Sequence, residues 1–176
     1  MKYPENYQPT FCEKTDICRF SLGKNGNKNL MIIGFNPSTA NKENSDPTMN
    51  RVIKFCEFNG YDGYIMVNAC PFISTNPSEV KFDEKISIAN LSHIKYKIEE
   101  LKISDILLAY GGIIMPNFML KSLLGILDIV KNKNIFVIKT LKSGIPAHPL
   151  YNKVDKLQKF TDIKGEMDRL KRKLSN

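Results

Sequence analysis

Leu30-Met31-Ile32-Ile33-Gly34-Phe35-Asn36-Pro37-Ser38-Thr39-Ala40 is the stretch whose reading decides the fold. Leu30 to Ile33, with Phe35, form an apolar run that Gly34, Asn36 and Pro37 bring to a sharp stop, the pattern of a buried strand ending in a loop. In an open α/β sheet, ligands bind past the carboxyl ends of parallel strands, where the N–H groups of the following helices converge on one crevice. Asn36 is therefore offered at such a rim, although Asn and Pro also serve as plain turn residues.

Working outward, Asp46-Pro47-Thr48 has the form of a helix start, with Asp46 as N-cap and Pro47 at the first helical position. That helix is expected to run to about Phe58, with Val52, Ile53 and Phe55 inward, and to end at Asn59 and Gly60. A second strand is expected over Tyr64–Ala69, a helix over Ile86–Leu101, a third strand over Asp105–Tyr110, a helix over Asn117–Lys131 and a fourth strand over Asn134–Ile138. The first helix of this later group carries Ile88, Leu91, Ile94 and Ile98 on one stripe. Upstream, Met1–Thr15 reads as irregular and Cys18–Leu22 as an edge strand. The long loop from Ile73 to Glu84 contains Pro77, and the tail beyond Asn152 is expected to be one or two helices. Alternating strands and helices specify a three-layer α/β/α sandwich with a mainly parallel four-stranded central sheet, one domain over residues 1–176.

Composition narrows the class. With 176 residues and 42% apolar content the chain can bury one core. No apolar run reaches membrane-spanning length and the first residues lack a signal-peptide core, so a cytoplasmic protein is expected. Cys12, Cys18, Cys56 and Cys70 lack C-x-x-C spacing and read as reduced thiols, so neither metal nor other cofactor is expected. A net charge of +8 suits a polyanionic partner such as DNA, or a solvated surface rich in lysine. The charged run Asp168–Lys173 reads as a solvated face and His93 as a structural or solvated residue.

Each expected strand ends in distinctive residues: Asn36-Pro37-Ser38, Asn68 with Cys70-Pro71, Gly111-Gly112, and His148-Pro149-Leu150. If the strands are parallel, these share one rim. No phosphate-binding G-x-x-x-x-G-K, no G-x-G-x-x-G and no H-E-x-x-H occurs, which argues against nucleotide triphosphatases, dinucleotide-dependent dehydrogenases and zinc proteases. Ser38 lacks the flanking glycines of a nucleophile elbow.

The series N-P-S-T-A (Asn36–Ala40), D-P-T (Asp46–Thr48), V-N (Val67, Asn68), Y-G (Tyr110, Gly111) and G-I-P-A-H-P-L-Y (Gly144–Tyr151) closely resembles the bacterial and phage family of unknown function numbered 1643. More distantly, the chain resembles the uracil-DNA glycosylase superfamily. Gly34-Phe35-Asn36-Pro37 is similar to its first motif, in the mismatch-type form, and His148-Pro149-Leu150 to its second.

The resemblance implies excision of a modified or mismatched base from DNA by N-glycosidic cleavage, in DNA repair, DNA modification or phage conflict. Such a reaction builds an oxocarbenium-like sugar and an anionic leaving base, so the enzyme must place a water and stabilise the anion. By resemblance, Asn36 and His148 are the catalytic pair, one holding water and the other donating to a base carbonyl. Phe35 or Phe72 would stack on the base and Asn68 would read its edge. Ser38 would contact phosphate, with Leu150 and Tyr151 filling the gap left by a flipped nucleotide; Arg51, read from its place on the first helix, reaches either a phosphate or only solvent. The most active uracil enzymes carry Asp where this chain has Asn36. Two other readings use the same pocket: an enzyme that cleaves the base of free nucleosides or nucleotides, and a non-catalytic binder of modified bases.

Overall fold

The computed structural model describes residues 1–76, 82–112 and 115–175. Seven strands and four helices follow in the order β1 (Phe11–Lys14), β2 (Arg19–Lys24), β3 (Asn29–Gly34), α1 (Pro47–Phe58), β4 (Gly63–Asn68), α2 (Glu84–Glu100), β5 (Asp105–Leu108), α3 (Asn117–Val130), β6 (Asn134–Val137), β7 (Gln158–Lys159) and α4 (Ile163–Ser175). The protein is a mixed α/β fold around one sheet of order β1-β2-β4-β3-β5-β6-β7.

The sheet is wider than the expected four strands. Parallel pairing joins β4 to β3, β3 to β5 and β5 to β6. Antiparallel strands flank this set, β1 and β2 on one side and β7 on the other. Cys18–Leu22 is therefore not an edge, because β1 pairs outside it, and the opening segment is not wholly irregular. β7, in a tail expected to be helical, consists of two exposed residues, Gln158 and Lys159, held by backbone pairing to Val137 and Phe136. Two residues without apolar alternation carry no periodic signal.

Strand residues alternate between two cores. Leu30, Ile32, Tyr64, Met66 and Leu107 pack with α1 residues Val52, Ile53 and Phe55. Met31, Ile33, Ile65, Val67, Ile106 and Leu108 pack with residues of α2, α3 and α4. Helices thus cover both faces, which is why the parallel strands read as nearly unbroken apolar runs. Each fully buried Ile or Leu contributes roughly 1.5–3 kcal/mol. On α2, Ile94 and Ile98 are buried as expected, but Ile88 is 58% exposed and leaves the stripe.

Local signals set α1. Asp46 Oδ1 accepts from the Met49 N–H at 2.8 Å, Pro47 opens the helix, and Gly60 follows the C-cap Asn59 with φ of +72°. The tail is anchored from within. Glu166, 3% exposed, accepts from the Tyr110 hydroxyl at 2.5 Å and from Arg169 Nε at 2.7 Å, so Arg169 turns inward and departs from the expected solvated face. His93 is half-buried, its Nε2 3.0 Å from Ser21 Oγ and 3.1 Å from Glu13, and it ties α2 to β1 and β2.

Candidate functional site

The loops after β3, β4, β5 and β6 enclose a cavity of about 700 Å³ at the carboxyl ends of the parallel strands. Phe35, Asn36 and Ser38 come from the loop after β3, and Ser74 and Thr75 from the loop after β4. Gly111 and Gly112 follow β5, and Lys139, His148, Leu150 and Tyr151 follow β6. Sequence positions more than 100 residues apart meet here because parallel connections return every strand in the same direction, which stacks their ends on one rim. Pro77, in the loop expected to be functional, lies outside the described residues.

Asn36 is held rigidly. Its Nδ2 donates to the Pro37 carbonyl at 3.0 Å and the Ser74 carbonyl at 2.8 Å. Carbonyl oxygens only accept, so both contacts require the amide nitrogen and leave Oδ1, which accepts no hydrogen bond among the described residues, as the open acceptor of a residue that lines the cavity. The bond to Ser74 ties the β3 loop to the β4 loop.

His148 is set just as definitely. Its Nδ1 accepts from the Leu150 N–H at 3.3 Å, so the neutral ring carries its proton on Nε2. Burial lowers its pKa, and the Asp46 carboxylate opposes this in part. Gly111, at φ +75°, lets the ring in: a Cβ there would stand 2.9 Å from His148 Cβ. Asn152 Nδ2 donates to the His148 carbonyl at 2.6 Å and fixes the backbone behind it. The Tyr151 ring lies 6.2 Å from the imidazole and is 85% exposed at the mouth.

Beneath Asn36 and His148 the cavity continues into an inner chamber of about 40 Å³, lined also by Arg19, Asp46, Thr48 and Met66. Arg19 is 3% exposed and Asp46 6%. Arg19 Nη1 donates to the Ala40 carbonyl at 2.5 Å, while its buried Nε has no partner. Burial pulls the guanidinium's pKa down and Asp46 pushes it back up. Asp46 Oδ2 accepts from the Ala40 N–H at 3.3 Å, so the helix cap doubles as a wall of the site.

Other candidates lie elsewhere. Asn68 is 1% exposed and does not line the cavity; its Nδ2 and Oδ1 are both buried without partners among the described residues. Its Oδ1 sits over Gly34 beside the Met66 methyl, since a Cβ at Gly34 would meet them at 2.6 and 2.5 Å. Phe72 pairs with Cys18 in an isolated bridge and packs on the core instead of facing the cavity. Arg51 lines a separate groove of about 550 Å³ with Lys2 and Lys54, which touches the main cavity through Leu150. No hydrogen bond among the described residues joins Ser38 to His148. Burial pushes the Cys70 thiol up to about 11 and the Cys56 thiol up to about 12, which keeps both protonated and unreactive at neutral pH. Among the described residues no group of three or more His, Cys, Asp or Glu could hold a metal.

The sequence reading missed Arg19, Thr48, Lys139 and the wall-forming role of Asp46. Arg19 left no signal of this role, because Cys18-Arg19-Phe20-Ser21-Leu22 alternates and places Arg19 with Ser21 on the face that reads as polar.

The family described as protein of unknown function, DUF1643, matches residues 19–150, a span that runs from Arg19 in the inner chamber to Leu150 at the mouth. No curated protein and no solved structure matches the chain. No helix among the described residues is long and apolar enough to cross a membrane.

Proposed function

The chain belongs to the DUF1643 family of proteins of unknown function, and from that premise, which brings no activity with it, we propose that it excises a modified or mismatched base from DNA by cleaving the N-glycosidic bond, in the manner of uracil-DNA glycosylases. The observation that carries this reading is the pairing of a free amide acceptor on Asn36 with an imidazole donor on His148 at one cavity wall.

Cleavage breaks the C1′–N bond, and the bonding electron pair leaves with the base. His148 Nε2–H, neutral because of its burial, donates to a base carbonyl on which that negative charge accumulates. Asn36 Oδ1 accepts from the attacking water and orients it toward C1′. An amide is no base at neutral pH, so Asn36 positions the water without deprotonating it, and the proton departs after the C–O bond forms. This favours a substrate whose base is a good leaving group, as some modified bases are, while mispairing lowers the cost of extruding the base into the cavity. Phe35, 4% exposed, supplies an apolar wall for the base, and Lys139 brings positive charge to the rim.

The adjoining groove with Lys2, Arg51 and Lys54 favours a polymer over a free nucleotide, because it continues past Leu150 where a phosphate backbone would run. Leu150 and Tyr151 stand between the two and would fill the space of an extruded nucleotide.

The test is a cleavage assay on single- and double-stranded oligonucleotides carrying uracil, hypoxanthine, thymine mismatches and hydroxymethylated bases, with alkali to reveal abasic sites. Strand breaks that disappear in Asn36→Ala and His148→Ala establish the activity. A blank panel sinks it, and turnover confined to free nucleosides transfers the same chemistry to small molecules.

A further inference from the structure

The inner chamber sets a buried cation against a buried anion without letting them touch. Arg19 and Asp46 form no ion pair within 4.0 Å among the described residues, yet the Asp46 charge acts on the Arg19 guanidinium. Arg19 lines the chamber and offers only donors, of which Nη1 already holds the Ala40 carbonyl; Asp46 offers only acceptors, and its two oxygens hold the Met49 and Ala40 N–H groups with lone pairs to spare. A volume of about 40 Å³ admits a group of a few non-hydrogen atoms, since about 10–15 Å³ of such space is enough for one water.

A hydroxyl satisfies both walls, accepting from Arg19 and donating to Asp46 as a water there would, so a ligand hydroxyl can take the place of such a water without losing either contact. A methyl satisfies neither and leaves the Arg19 donor stranded. A carboxylate or phosphate oxygen meets the Asp46 charge, and an ammonium meets Arg19. Because the chamber opens beneath Asn36 and His148, a base seated against those two would direct a small substituent into it.

We propose that Arg19 and Asp46 form a specificity subsite for a hydroxyl-bearing substituent on the nucleobase, of hydroxymethyl size. This rests on the base-binding reading of the main cavity and adds which bases it selects. Sites built to hydrogen-bond a hydroxyl discriminate strongly against the analogue lacking it.

The experiment compares binding of 5-hydroxymethyl-2′-deoxyuridine, thymidine and 2′-deoxyuridine by calorimetry, then repeats it with oligonucleotides carrying the same bases. Wild type is expected to bind the hydroxymethyl form roughly tenfold or more tightly than the methyl form. That preference should collapse in Asp46→Asn, which keeps a capping oxygen for Met49 but removes the charge, and in Arg19→Lys, which keeps the charge but removes the planar donors. Equal or weaker binding of the hydroxymethyl form, with thymidine and deoxyuridine still bound, overturns the subsite and leaves the base-binding reading intact. Failure of every nucleoside and oligonucleotide to bind overturns both. A preference that persists unchanged in both variants places the hydroxyl elsewhere and also overturns the proposal.

Discussion

Gly111 and His148 are in direct apposition: Gly111 holds a left-handed φ of +75°, and a Cβ on it would stand 2.9 Å from the His148 Cβ. The glycine at the end of β5 is thus a condition for placing the imidazole that follows β6. Gly111→Ala adds strain of about 1–2 kcal/mol from the left-handed backbone and pushes His148 off its position. The expected outcome is a modest loss of stability with a much larger loss of cleavage or base binding. Thermal melts beside the oligonucleotide assay check it, and an unchanged activity would detach His148 from the chemistry.

The imidazole is expected to titrate below its ordinary value of about 6.5, because burial disfavours the charged form more than Asp46 favours it. Folding stability then rises with pH up to about 6.5. Below that value an unfolded chain takes up a proton that the folded His148 resists, so stability is lost as pH falls toward the folded pKa. His93 shifts in the same direction, by burial against Glu13, and adds to the slope. These are the chain's two histidines, so an NMR titration resolves each ring. A His148 midpoint above 6.5 would contradict the neutral-donor role.

Asn36→Asp, the substitution that imports a carboxylate in place of the amide, is expected to fail. A carboxylate there would face the Pro37 and Ser74 carbonyl oxygens that now receive the amide N–H groups. Two hydrogen bonds become oxygen–oxygen repulsions, a cost of roughly 2–3 kcal/mol. Both the melting temperature and the activity should drop, and a gain in uracil excision would show that the loop clamp is dispensable.

Asn68→Leu is expected to stabilise the protein by about 1–2 kcal/mol, since a buried amide with neither atom partnered costs free energy that an apolar residue of similar size avoids. Denaturant unfolding measures this. A destabilised variant that also loses base binding would restore Asn68 as an edge reader.

The order of the central elements was legible from residues near one another in the chain. Leu30–Ile33 alternates between two cores because both faces of β3 are covered, and Asp46-Pro47 with Asn59-Gly60 marks α1 through caps that act within four residues. The shared rim followed from those elements, since parallel strands with helical crossovers return their ends to one side.

What local pattern could not decide depends on pairs far apart in sequence. β1 and β7 exist through backbone pairing with their neighbours, which short polar stretches do not announce. Asn36 as a clamp depends on Ser74, 38 positions away, and the chamber on Arg19 reaching Ala40, 21 positions away. Asp46 was readable as a cap but not as the wall facing Arg19. One carboxylate serves both purposes, and only the fold, by burying it beside a guanidinium, turns the second into chemistry.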